Sequence, residues 1–175
     1  MTVKLYSPHL TELLQALQYQ GRFNDCAPFT IATVTNALQK TDLKGRELGL
    51  KMNKARWHGP IPIIRRVPNW ATFPWGMADV FREHQLKARW RFLVSTKYLK
   101  NNLEKGHILM PIIASWRPMW AHVMTLIAWD ELRGWGFANT QSAQQQIYWM
   151  HNSHFQKRWA NLGHLLVEIP VSKLA

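Results

Sequence analysis

Apolar residues recur at helical spacing through the first third of the chain and appear as short continuous runs after residue 107. Ile31, Ala32, Val34, Ala37 and Leu38 follow one another on a helical repeat, and Pro28 suits the first turn, where its missing N–H costs nothing. The pattern predicts helices over 10–18, from Cys26 to about residue 39, and over 43–53, with Asp25 as the N-cap of the second. Residues 57–75 hold four prolines, three tryptophans and the pair Arg65/Arg66, which predicts an extended loop. Long loops of this kind often serve function, so the segment either walls a cleft or buries its tryptophans. Further helices are predicted over 76–84 and 96–103, with a strand over 87–94 between them.

The later runs, 107–116, 121–129 and 135–139, are short and rich in β-branched and aromatic residues, which predicts strands. Residues 130–134 form the turn of a hairpin joining the last two. A closing helix carries Phe155, Trp159 and Leu162 at i, i+4 and i+7, a core-facing stripe with Ser153 as N-cap, and leads to an apolar strand over 165–169. Helices open the chain and an antiparallel sheet closes it, an α+β layout in one domain spanning residues 1–175.

The candidate chemistry centres on the one cysteine. Cys26 stands at the predicted start of a helix, where orphan N–H groups and the positive end of the dipole favour a thiolate and lower its pKa from about 8.5. A lone cysteine is more often a small buried hydrophobe, and what turns the argument is a second constellation downstream. The midpoint of His122 and Asn139 falls inside the predicted turn, so a regular hairpin sets the two opposite each other. Opposed residues have Cβ atoms roughly 4.5–5.5 Å apart, near enough for an amide to bond one imidazole nitrogen. The other nitrogen is then free for a thiol, the nucleophile, base and orienter arrangement of cysteine hydrolases.

The spacing of Gln20 and Cys26, the Cys26-Ala27-Pro28 helix start, the His122-Val123 strand and Asn139 together resemble the papain-like superfamily. Within it the chain is most similar to the bacteriocin-processing (double-glycine leader) peptidase family in its stand-alone form. Leu109-Met110-Pro111-Ile112-Ile113 before the histidine strand, and the closing helix and strand, match that family's order of elements. Two positions depart from it: Ala27 stands where the family usually has glycine, and Asn139-Thr140 where it usually has Asp-Pro. The resemblance implies a papain-like fold and a peptidase or amidohydrolase. Cys26 would be the nucleophile, His122 the base and acid, and Asn139 the orienting residue, while Gln20 would join the Cys26 N–H in stabilising the oxyanion. It implies a peptide or protein substrate and no cofactor.

Charge supplies the main rival reading. Against 10 acidic residues stand 22 basic ones, a formal net charge of +12. Basic clusters at Lys51/Lys54/Arg56, Arg65/Arg66, Lys87/Arg89/Arg91 and Lys157/Arg158 lie near Trp57, Trp70, Trp90 and Trp159, a mix that suits nucleic acid. The tryptophans are spread evenly and many sit on apolar runs, which predicts core burial and makes nucleic acid the less favoured partner. A basic surface equally suits acidic substrates, and a papain-like module that binds without catalysis is a further alternative. His151 and His154 lack a third ligand nearby, so no metal is expected. With one cysteine, no signal-peptide pattern and no apolar run near ~20 residues, the expectation is a cytoplasmic protein without a membrane span.

Overall fold

A computed structural model describes residues 2–170; Met1 and 171–175, part of the expected domain, lie outside the described residues. In chain order the elements are β1 (Lys4–Tyr6), α1 (Leu10–Gln15), α2 (Cys26–Gln39), α3 (Gly45–Met52), β2 (Arg56–His58), β3 (Ile61–Ile63), β4 (Arg66–Val67) and β5 (Ala71–Thr72). There follow α4 (Pro74–Glu83), β6 (Arg89–Arg91), α5 (Thr96–Glu104), β7 (Ile108–Trp116), β8 (Met119–Val123), β9 (Thr125–Asp130), β10 (Gly134–Ala138), β11 (Tyr148–Met150), α6 (Asn152–Ala160) and β12 (Leu166–Ile169). The main sheet runs β11, β10, β9, β7, β12, β6, with β1 added along β9 and β8 along β7, and every pairing is antiparallel.

The α+β layout is as the sequence predicts, and β7 shows why its strands read as unbroken apolar runs. Ile108, Met110 and Ile112 pack into a core with Ile31, Val34 and Phe81 of α2 and α4, whereas Leu109 and Ile113 pack into a second core with Leu99, Phe155 and Trp159 of α5 and α6. Both faces are covered, so side chains of either parity must be apolar. Helix α2 is buried almost all round and ends at Lys40, which takes the left-handed conformation (φ 57°). No helix among the described residues is long and apolar enough to cross a membrane.

Several expectations are corrected. The chain opens on a strand, β1, that borders β9, and not on a helix. Residues 57–75 form two small hairpins, β2/β3 and β4/β5, because Gly59 (φ 60°) and Asn69 (φ 59°) supply the left-handed conformation that such reversals need. The strand predicted over 87–94 contracts to β6, cut short where Leu93 turns left-handed (φ 57°). His151, not Ser153, holds the N-cap position of α6 and makes no side-chain cap bond. Trp135 and Trp159 are fully buried, but Trp57, Trp70, Trp75, Trp90 and Trp116 are exposed, so the tryptophans are not mainly core residues.

Candidate active site

Strands β8 and β9 behave as one strand interrupted at Met124. Both pair with the same edge of β7 in one register, Ile113 with His122 and Leu109 with Leu126. Only β9 continues into the hairpin with β10, where Gly134 faces Asp130 and Gly136 faces Ala128. A bulge between Gly136 and Phe137 then shifts the register, so that Phe137 faces Leu126 and Ala138 faces Thr125.

Continued by one residue, the shifted register sets Asn139 opposite Met124, on the face that Met124 shares with His122. Without the bulge Asn139 would oppose Thr125 and project from the other face, because a slip of one residue exchanges the two faces. His122 and Asn139 are therefore diagonal neighbours, not the directly opposed pair that the hairpin midpoint predicts. The imidazole spans the diagonal, and His122 Nε2 lies 2.8 Å from Asn139 Oδ1 in a buried bond. The same Oδ1 accepts the Gln141 N–H at 3.0 Å, which fixes the amide. Since Oδ1 only accepts, Nε2 carries the proton and Nδ1 is left as the basic nitrogen. Nδ1 is buried and has no hydrogen-bond partner among the described residues.

Cys26 opens α2, as the sequence predicts, with Pro28 in the first turn. Its sulfur receives hydrogen bonds from the backbone N–H groups of Val123 and Ala27, which pull the thiol pKa down. Val123 directly follows His122, and the cysteine and histidine line one cavity of about 50 Å3 together with Asn24, Trp70, Thr72 and Met77. Burial outweighs the N–H groups and pushes the Cys26 thiol above its ordinary pKa, against the lowering expected of a helix start. Burial likewise pushes His122 down, opposed by its bond to Asn139.

Asp25 occupies the N-cap position but makes no cap bond. Its carboxylate instead accepts a hydrogen bond from Arg66 Nη2, within an ion pair whose arginine side chain is 4% exposed. Gly49 of α3 leaves room for that guanidinium, since a Cβ there would stand 2.6 Å from Arg66 Nη1. Next to it Asn24 Nδ2 donates to the carbonyls of Trp70 at 2.9 Å and Asn69 at 3.3 Å. The β4/β5 hairpin is thus tied to the two residues before Cys26 and forms a wall of the cleft. In the sequence Arg66 is legible only as part of a charge cluster.

Gln20 is buried, with Oε1 accepting from Thr140 Oγ1 at 2.6 Å and Nε2 donating to the Phe23 carbonyl at 2.8 Å. Its backbone N–H reaches the Thr140 carbonyl at 2.8 Å, so the loop before Cys26 is bound to the residue after Asn139. No group of three or more His, Cys, Asp or Glu side chains gathers as a metal site among the described residues; His151 Nδ1 lies 3.0 Å from Ser153 Oγ.

No protein-family model and no curated protein sequence matches the chain. Its structure is similar to the crystal structure of a protein from Bacillus anthracis that is named, provisionally, a C39-like peptidase. The TM-score is 0.69 at 11% sequence identity, covering 95% of this chain and 97% of that one. At so low an identity the likeness is one of fold: the chain has the fold of a C39-like, papain-like peptidase, as the sequence resemblance implies.

Proposed function

We propose that the protein is a thiol hydrolase that cleaves a peptide or amide bond with Cys26, His122 and Asn139, aided by Gln20, within one papain-like unit over residues 1–175. The observation that carries this reading is the buried imidazole, bonded to Asn139 through Nε2 while its unpartnered Nδ1 belongs to a residue lining the Cys26 cavity. The likeness in fold supports the same class of reaction.

In the first step the Cys26 thiol passes its proton to His122 Nδ1 as the sulfur bonds to the carbonyl carbon. The carbonyl oxygen takes up negative charge. The Cys26 N–H, which lies in the first turn and has no intrahelical partner, and the Gln20 amide would receive it. The C–N bond then breaks, the leaving nitrogen takes the proton from His122, and the acyl group stays on sulfur. Water gives a proton to Nδ1 and its oxygen to the acyl carbon, and the thiol reforms as the acid departs. Asn139 holds the ring in the tautomer that both half-reactions require.

Incubation of the wild type and Cys26→Ala with a defined peptide pool, read by mass spectrometry, tests the reading. Fragments formed by the wild type and absent with Cys26→Ala are expected; equal cleavage by both would remove the thiol mechanism.

A further inference from the structure

Three cavities adjoin one another along the cleft, and Asn24 lines them all. The middle one holds Cys26 and His122. A second, of about 180 Å3, lies between Trp70 and Trp116. The third, of about 330 Å3, is bounded by His122, Asn139, Gln141, Tyr148, Trp120 and Arg158, and does not include Cys26. No aspartate or glutamate lines any of the three.

Arg158 is the one permanent cation among these lining residues. Elsewhere arginines that lie beside carboxylates are neutralised: Arg66 by Asp25, Arg56 and Arg65 by Asp79 and Glu83, Arg89 and Arg91 by Glu168, and Arg133 by Asp130. Arg158 has no ion pair among the described residues. Its guanidinium lies over the Trp120 ring, 5.0 Å from the centroid, and this stacking orients the fork without consuming its N–H donors. Half-buried beside a phenol and an amide that can add hydrogen bonds, it is preorganised for a planar anion.

We infer that Arg158 forms a carboxylate subsite on the leaving-group side of the scissile bond. This rests on the thiol-hydrolase reading. In that reaction the acyl half stays on the Cys26 sulfur, while the leaving nitrogen takes its proton from His122. The cavity that adjoins the histidine and not the cysteine therefore receives the leaving half. The substrate class is a peptide whose leaving half carries a carboxylate next to the cleaved bond, from an acidic side chain or from the chain terminus.

Three alkylating probes that need no known substrate test this: chloroacetyl-glutamine amide, chloroacetyl-glutamate α-amide and chloroacetyl-glutamine. The first is neutral, the second carries a side-chain carboxylate and the third a terminal one; in each case the sulfur displaces chloride and the thiol proton goes to His122. The expected result is labelling of Cys26 roughly two- to fivefold faster by one or both anionic probes than by the neutral one, the advantage of a partly shielded ion pair. The faster anionic probe identifies the source of the carboxylate. Arg158→Met should abolish the preference, so that its anionic and neutral probes label Cys26 at the same rate, and Arg158→Lys should retain part of it. Lys157→Met, which removes an exposed charge outside the cavities, should keep it in full. Equal rates in the wild type, or a preference that survives Arg158→Met, would overturn the subsite and leave the hydrolase reading standing. Failure of all three probes to label Cys26 would overturn both.

Discussion

His122 and Asn139 meet through a hydrogen bond of 2.8 Å although they are not paired across the hairpin, and a register shift two residues before Ala138 sets them on one face. The bond uses Nε2 and leaves Nδ1 for the thiol cavity, so in the proposed reaction Asn139 would act only through the ring. Asn139→Ala should slow Cys26-dependent hydrolysis by roughly 10- to 100-fold, the effect of losing an orienting partner at other histidine sites. Because the tautomer changes as well as the orientation, the pH-rate profile should shift along with the rate. A loss of rate with an unchanged profile would place Asn139 in a purely structural role.

The bulge offers a second test. At Gly136 a Cβ would stand 2.9 Å from the Ala128 Cβ and 2.7 Å from Ile147 Cγ2. Ala128 is fixed to the strand directly opposite, so the two backbones would have to separate. Gly136→Ala should therefore destabilise the protein by about 1–3 kcal/mol, the usual range for overpacking. Its effect on alkylation of Cys26 should resemble that of Asn139→Ala, and urea unfolding alongside labelling rates measures both. Unchanged labelling would mean that the register beyond the bulge is fixed by other contacts.

The sequence revealed the helix that begins at Cys26 and the strands β7, β9, β10 and β12, because each rests on a local pattern, whereas β1 and β11 did not stand out as strands. Apolar spacing and Pro28 locate α2, and the run ending in Trp116 locates β7. The diagonal pairing was not legible, since a bulge at a glycine leaves no mark on the alternation that sets a hairpin midpoint. Nor was the Asp25–Arg66 pair: Asp25 carries the ordinary signature of an N-cap, and only the folded hairpin brings Arg66, 41 positions later, against it. The raised thiol pKa has the same origin, as burial comes from residues remote in the chain and overrides the local effect of the helix start.

Those pKa directions fix the pH dependence. With Cys26 above its ordinary value of about 8.5 and His122 below its ordinary 6.5, the resting pair at pH 7 is a thiol and a neutral imidazole. Labelling by iodoacetamide should climb through pH 9 instead of levelling below pH 7, and His122→Ala should slow it at pH 7 by removing the base. For stability, the unfolded histidine binds a proton that the folded one refuses, so stability falls as pH drops below 6.5. The folded thiol keeps a proton that the unfolded one releases, so stability falls again as pH rises above about 8.5. His107, also pushed down by burial, adds to the acid limb. Melting temperature against pH should thus be domed, and His122→Gln and His107→Gln should each flatten its acid side. An acid limb unmoved by either variant would mean that carboxylates alone set it.

Arg66 ties the β4/β5 wall to the start of α2, and its Nε is buried without a hydrogen-bond partner. Arg66→Met leaves the Asp25 carboxylate largely buried and unpaired, which should cost about 3–5 kcal/mol in urea unfolding. The double variant Asp25→Asn/Arg66→Met removes both charges and should recover much of that loss. Equal losses in the single and double variants would mean that the guanidinium matters for its packing and not for its charge.

Variants of Gln20 would separate oxyanion stabilisation, its proposed role, from placement of the thiol. Its Oε1 and one Nε2–H are committed to Thr140 and Phe23, which leaves the second N–H of the amide as a donor. In hydrolysis the carbonyl oxygen gains charge in the transition state; in alkylation by iodoacetamide the displaced atom is iodide and no oxyanion forms. Gln20→Ala should therefore lower kcat on a cleaved peptide by roughly 10²–10³ with little change in KM, as loss of an oxyanion donor does elsewhere. Gln20→Glu, which lacks the N–H, should match it, and Thr140→Val, which only frees the amide to turn, should lose less. The alkylation rate of Cys26 should stay within about twofold of wild type in all three, since placement of the nucleophile is untouched. If alkylation and hydrolysis fall together, Gln20 acts by holding the loop before Cys26 to Thr140, and the oxyanion must be met by the Cys26 N–H and other donors.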